Sequence, residues 1–209
     1  MKFILQITTL TAIVLLVGSC RKGENDPWLT LRTRKARLTG EWQLVSGFRK
    51  EETPSNHSSN TSIYSEEAVS AYYVTSGGSS ESEFKITENK LIFSRDGTFE
   101  RKVSTIRNGL EFISKNTGIW TFLGRNSNQK LKNKEAIMFS EFSDENFTID
   151  SGDTSVFSYD HTGLSADYNI WLIDRLSNKE LIFKGYYETT SNSLIDGRIV
   201  SFEYKFKKI

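Results

Sequence analysis

Along the last run of the chain, Val200, Phe202, Tyr204 and Phe206 alternate with Ser201, Glu203, Lys205 and Lys207. Successive side chains of a strand point to opposite faces, so this run specifies a strand with one dry and one wet side. That pattern belongs to antiparallel sheets, since parallel sheets bury both faces. Leu181, Phe183 and Tyr187 continue the apolar face on the preceding run, and Trp42, Leu44 and Phe48 on the first. With two prolines in 209 residues and 12% aromatics, the chain after Gly40 reads as short strands separated by turns.

Asp96-Gly97 and Asn108-Gly109 supply the positive φ of two-residue hairpin turns, and Ser177-Asn178-Lys179 and Asp196-Gly197 read as further turns. The strands drawn between them cover residues 40–50, 82–94, 98–107, 110–124, 134–142, 146–159, 166–175, 180–190 and 197–207. Strands at this spacing predict an all-β domain, an antiparallel up-and-down barrel of about 8–10 strands. A short helix capped by Thr30 and running through Leu38 precedes it. Residues 53–62 and 75–83 read as polar loops, flanking a short helix or lid at 65–74 that carries Val69, Tyr72 and Tyr73.

The chain opens with Met1-Lys2, an apolar run from Phe3 to Val17, and the small residues Gly18 and Ser19. This is the layout of a secretion signal, and the run is shorter than the ~20 residues needed to span a bilayer. Leu16-Val17-Gly18-Ser19-Cys20 resembles the lipobox of bacterial lipoproteins. The resemblance implies that residues 1–19 are a removed signal peptide and that Cys20 receives the lipid. It makes residues 20–28 a lipidated tether and 29–209 the folded domain. Arg21 after the cysteine implies the outer membrane of the cell envelope. Cys20 is the single cysteine, so no disulfide holds the fold and the core must do so.

Gly40-Glu41-Trp42 at the start of the first strand, directly after a short helix, is similar to the opening motif of the lipocalins. A second likeness is Ala166-Asp167-Tyr168-Asn169-Ile170-Trp171. Together with Phe93-x-x-Asp96-Gly97-Thr98-Phe99 and Gly118-Ile119-Trp120, the chain resembles the lipocalin-like lipoproteins of Gram-negative bacteria. The resemblance implies a barrel whose base is closed by Gly40 and Trp42, with a late basic residue, Arg198 or Arg175, over the tryptophan. It departs from true lipocalins in ending on a strand, without a C-terminal helix.

The net charge of +1 excludes the basic surplus of a nucleic-acid binder. Arg32, Arg34, Lys35 and Arg37 form a local basic cluster, read as a solvated helix face and alternatively as a membrane-facing patch. The only histidines are His57 and His161, and with no free cysteine a catalytic zinc lacks ligands. The acidic run Asp144, Glu145, Asn146, Asp150, Gly152, Asp153 fails the calcium-loop spacing and reads as a solvated hairpin end. No enzyme, cofactor or metal is expected. Two function classes stay open. One is a membrane-tethered, non-catalytic binding module for a small apolar or amphiphilic ligand, with a pocket drawn from Tyr72, Tyr73, Phe93, Phe99, Trp120, Trp171 and Phe183. The other is a structural or protein-interaction component of the envelope. A carrier needs an enclosed pocket of roughly 300 Å³ or more, whereas a scaffold does not.

Overall fold

The computed structural model describes residues 25–27, 32–127, 131–150, 153–160, 169–189 and 197–209. Residues 1–19, read as a signal peptide, and Cys20, Thr30, Leu31, His161 and residues 166–168 lie outside them. One short helix, α1 (Arg34–Leu38), precedes strands β1 (Gly40–Thr53), β2 (Ser58–Tyr64), β3 (Ala68–Thr75), β4 (Gly78–Phe93), β5 (Thr98–Arg107) and β6 (Leu110–Phe122). These are followed by β7 (Ala136–Asp150), β8 (Asp153–Asp160), β9 (Asn169–Leu176), β10 (Glu180–Thr189) and β11 (Arg198–Lys208).

Ten of these strands form a closed antiparallel barrel, and β8 hangs as a flap on the upper half of β7. Closure comes from β6 pairing with β7 and β11 with β1, so the order is up-and-down as the turn spacing predicts. The ring is not equally wide at its two ends. At the base β1 pairs directly with β4, Gly40 opposite Phe93 and Gln43 opposite Lys90. Higher up the β2–β3 hairpin inserts between those two strands. The base is therefore narrow and the mouth broad.

Three sequence readings are corrected here. The segment 58–75 is neither loop nor helical lid but this hairpin, its polar β2 held in place by backbone pairing to β1. The single strand drawn over 146–159 is two, β7 and β8, with Asp150 opposite Asp153. The helix starts at Arg34 rather than after Thr30, because the Thr33 hydroxyl accepts from the Ala36 N–H and caps it there. Asn108-Gly109 is the expected turn with both φ positive, whereas at Asp96-Gly97 only the glycine takes positive φ. Asp96 instead accepts from the Thr98 N–H at 2.9 Å.

The base is dry. Trp42 is 0% exposed and its indole N–H donates to the Leu38 carbonyl at 2.6 Å. Lys208 lies over its ring, 4.9 Å from the centroid, and donates to the Arg37 and Thr39 carbonyls at 2.7 and 2.5 Å. Such a cation on an indole face is favourable, and it closes the base from the C-terminal strand. Arg198 does not take this position: it sits at the opposite end of β11, its side chain 57% exposed and 3.6 Å from Glu51. Arg175 is engaged elsewhere, with Glu180 at 2.5 Å.

Residues 25 and 26 are no free tether. The Asn25 N–H donates to the Asp174 carbonyl at 3.0 Å, and the buried Asp26 carboxylate accepts the Leu176 N–H at 2.7 Å. Arg34 and Arg37, both buried, approach the same carboxylate at 3.5 and 3.8 Å. The basic cluster of α1 thus divides: Arg34 and Arg37 turn inward to a buried ion group, and only Arg32 and Lys35 face solvent. Neither reading of that cluster as one exposed patch holds. An amphipathic five-residue helix lacks the length to be stable alone, so this latch and Leu38 hold it on the barrel.

Above Trp42 the interior is filled by rings. Phe93 meets Trp120 edge-on at 5.6 Å, Phe139 meets Phe99 at 5.0 Å, and Trp171 meets Phe183 at 5.2 Å. Edge-to-face contacts of this kind add to area burial. A Cβ at Gly185 would lie 2.1 Å from the Phe202 ring, and one at Gly118 would lie 2.0 Å from the Ser140 carbonyl. Glycine in mid-strand is what lets the ring and the neighbouring backbone come this close.

Candidate functional site

The alternation that fills the base with rings delivers charges to the mouth. On β5, Phe99 points into the core, so Arg101, two residues on, faces the same way. On β1 the pairing with β11 slips between Leu44 and Ser46, and this bulge reverses the alternation. Phe48, expected inside with Trp42 and Leu44, is 42% exposed, and Arg49 turns inward in its place.

Arg49 and Arg101 stand over an aromatic floor of Phe99, Phe139, Trp171 and Phe202, with Tyr204 as one wall and Glu141 opposite. The space they enclose is a cavity of about 60 Å³ that opens toward the mouth. A second recess of about 10 Å³ lies against Tyr64, Asn89 and Tyr204. Such volumes hold a few waters and fall well short of the roughly 300 Å³ of an enclosed ligand pocket. The site is an open cup on a packed core.

The two arginines differ in how they are held. Arg49 donates from Nε to Glu51 at 2.7 Å and hydrogen-bonds the Tyr204 phenol. Glu51 also meets Arg198 at 3.6 Å, so a chain of charges runs from the rim to the floor. Burial pushes the Tyr204 phenol up to about 12, with the neighbouring Tyr64 adding to it, so it is a neutral hydrogen-bonding wall at ordinary pH. Arg101 has no carboxylate within ion-pair reach among the described residues. A half-buried guanidinium over aromatic faces, without a paired anion, is an acceptor-seeking group in a low-dielectric cup.

The residues proposed from sequence scatter over three places. Trp171 and Phe99 line the cup. Phe93, Trp120 and Phe183 lie beneath it in the packed core, unable to touch a ligand in this arrangement. Tyr73 shares the inward face of β3 with the buried Val69 but sits at the rim, 48% exposed. Tyr72 lies on the outer face, where its hydroxyl bonds Glu81, and is no part of the cup. Gly40 and Trp42 close the base, with Lys208 in the place given to Arg198. Arg49 and Arg101 are not marked as site residues by the sequence reading, and Tyr204 enters it only as an inward-facing ring of the last strand. For Arg101 the signal was present, a charge on the apolar face of Phe99-x-Arg101-x-Val103. No family model, curated protein or solved structure matches this chain.

Proposed function

We propose that this protein is a non-catalytic binding module, held at the outer membrane by a lipid on Cys20, that takes a small amphiphilic ligand at the barrel mouth. The observation carrying the reading is the cup, where Arg101 stands over Phe99, Phe139, Trp171 and Phe202 with no carboxylate within ion-pair reach among the described residues. A carboxylate or sulfonate pairs with a guanidinium in a charge-assisted, bidentate manner, and an apolar chain or ring then covers the exposed aromatic edge. Because the interior below is packed, the ligand rests on the core rather than inside it. Modest affinity is expected from so shallow a site. The lipid anchor rests on the Leu16-to-Cys20 motif, and the ligand class on the cup, so the two are separable.

Trp171 lines the cup, so its fluorescence reports occupancy. Dodecanoate should change tryptophan emission saturably, dodecanol should do so at least ~10-fold more weakly, and Arg101→Gln should erase the difference. Equal response to acid and alcohol, or an unchanged preference in Arg101→Gln, contradicts the reading. A second reading, a structural or protein-interaction component of the envelope, draws on the filled interior and on a cup of about 60 Å³, well short of the enclosed pocket expected of a carrier. No response to either probe, with reproducible capture of one envelope protein after in-cell crosslinking, decides for it.

A further inference from the structure

We infer that the base of the barrel is a docking face for an anionic lipid surface, which turns the mouth away from the membrane. The near-neutral total charge conceals an uneven distribution. The helix, the β4–β5 turn, the β6–β7 loop and the β9–β10 turn all lie at the base, since each joins or precedes strands there. They expose Lys35, Arg95, Arg125, Lys132, Lys134 and Lys179. None of these six has a carboxylate within ion-pair reach among the described residues. Among the described residues the exposed carboxylates toward this end are Glu41, Asp96, whose oxygen is engaged by Thr98, and Glu66 and Glu67 of the β2–β3 turn, the first of them paired with Lys207 at 2.8 Å.

At the opposite end the charges are mixed, with Arg107 and Arg198 exposed beside acidic groups. Glu81 and Glu83 are exposed on upper β4, and Asp144 and Glu145 open the acidic run of the β7–β8 hairpin. An anionic surface therefore attracts the base more strongly than the mouth, so the field sets orientation as well as affinity.

The chain path points the same way. Asp26 is fastened to the base through Leu176, Arg34 and Arg37. Five residues lie between it and Cys20, so the six steps reach about 20 Å when extended. This step rests on the lipid-anchor reading, under which the base is held within a few Debye lengths of the headgroups. Juxtamembrane cations near an anionic leaflet each contribute about fivefold in binding. The partner is the anionic phospholipid surface itself, recognised by charge and without a specific headgroup pocket.

The lipidated full chain, reconstituted on vesicles with a rhodamine-labelled lipid as energy acceptor, provides the test. Lipidation blocks Cys20, so a dye can be placed at Asn178→Cys on the base or Ser76→Cys at the mouth, both exposed positions. On phosphatidylcholine vesicles containing phosphatidylglycerol at low salt, the Asn178 dye should transfer strongly and the Ser76 dye weakly. High salt, or pure phosphatidylcholine, should reduce the Asn178 transfer. Reversing Arg125, Lys132 and Lys179 to Glu should lower the docked-to-undocked ratio by about 100-fold or more. The salt series on the unreversed chain stands even if that triple variant fails to fold. Transfer from Asn178 that ignores both salt and phosphatidylglycerol, or transfer from Ser76 that exceeds it, overturns the inference. Flotation keeps the two readings apart. Loss of flotation in high salt alone refutes the lipid anchor while supporting the docking face, and flotation under all conditions with no charge dependence of transfer refutes the docking face while supporting the anchor.

Discussion

The base and the mouth of this barrel are built from the same strands yet follow opposite rules. At the base, β1 pairs directly with β4, Trp42 is fully buried, and the interior is a stack of edge-to-face rings. At the mouth, an extra hairpin widens the ring, and Arg49, Glu51, Arg101 and Glu141 occupy inward positions. Burial stabilises the first region at about 25 cal/mol per Å², while the second places charges where they gain little stability. Stability therefore belongs to the base, and recognition has freedom to occupy the mouth.

The sharpest way to break that division is Trp42→Ala. It removes a fully buried indole and its bond to Leu38, and leaves Lys208 over a void. A loss of ~3–5 kcal/mol is expected, measured by urea unfolding of the protein, and a loss well under 1 kcal/mol would remove the base from its role.

A smaller effect, about 3 kcal/mol, is expected for Asp26→Ala, which strands two buried guanidinium groups without their shared carboxylate. Thermal unfolding checks this, and an unchanged midpoint would mean that residues 25 and 26 are held only loosely.

Next comes alkaline pH. Folding raises the Tyr204 phenol from 10.0 to about 12, so its contribution is fully present below pH 10 and is lost as pH climbs through the folded value. The loss at high pH is about 2 kcal/mol, and Tyr204→Phe should remove that part of the decline between pH 10 and 12. Equal alkaline sensitivity in both proteins would place the phenol in solvent.

Much of the base was legible in the sequence, and the mouth far less so. Strands β4, β5, β6, β10 and β11 announce themselves by period-two alternation between turn residues, and Gly40-x-Trp42 marks the closing end. The β2 sequence Ser58-Ser-Asn-Thr-Ser-Ile-Tyr64 has almost no apolar alternation, and becomes a strand because the edges of β1 and β3 accept its backbone. In 65–74, the apolar spacing of Val69, Tyr72 and Tyr73 fitted a helix, but tertiary pairing to β4 favours the strand. One bulge after Leu44 inverts every later position of β1, so strict alternation puts Phe48 inward and hides Arg49. The Asp26 latch joins residues on opposite ends of the sequence, a contact that local patterning does not encode.

Native-state amide hydrogen exchange tests the division most directly, because it reads local stability along every strand in one experiment. Amides of Leu44, Phe183 and Phe206, in the base half of β1, β10 and β11, should exchange only through global unfolding. Those of Thr61 and Ala71 in the β2–β3 hairpin should open with a free energy at least ~2 kcal/mol lower. Protection of the hairpin at the same free energy as the base would contradict the account.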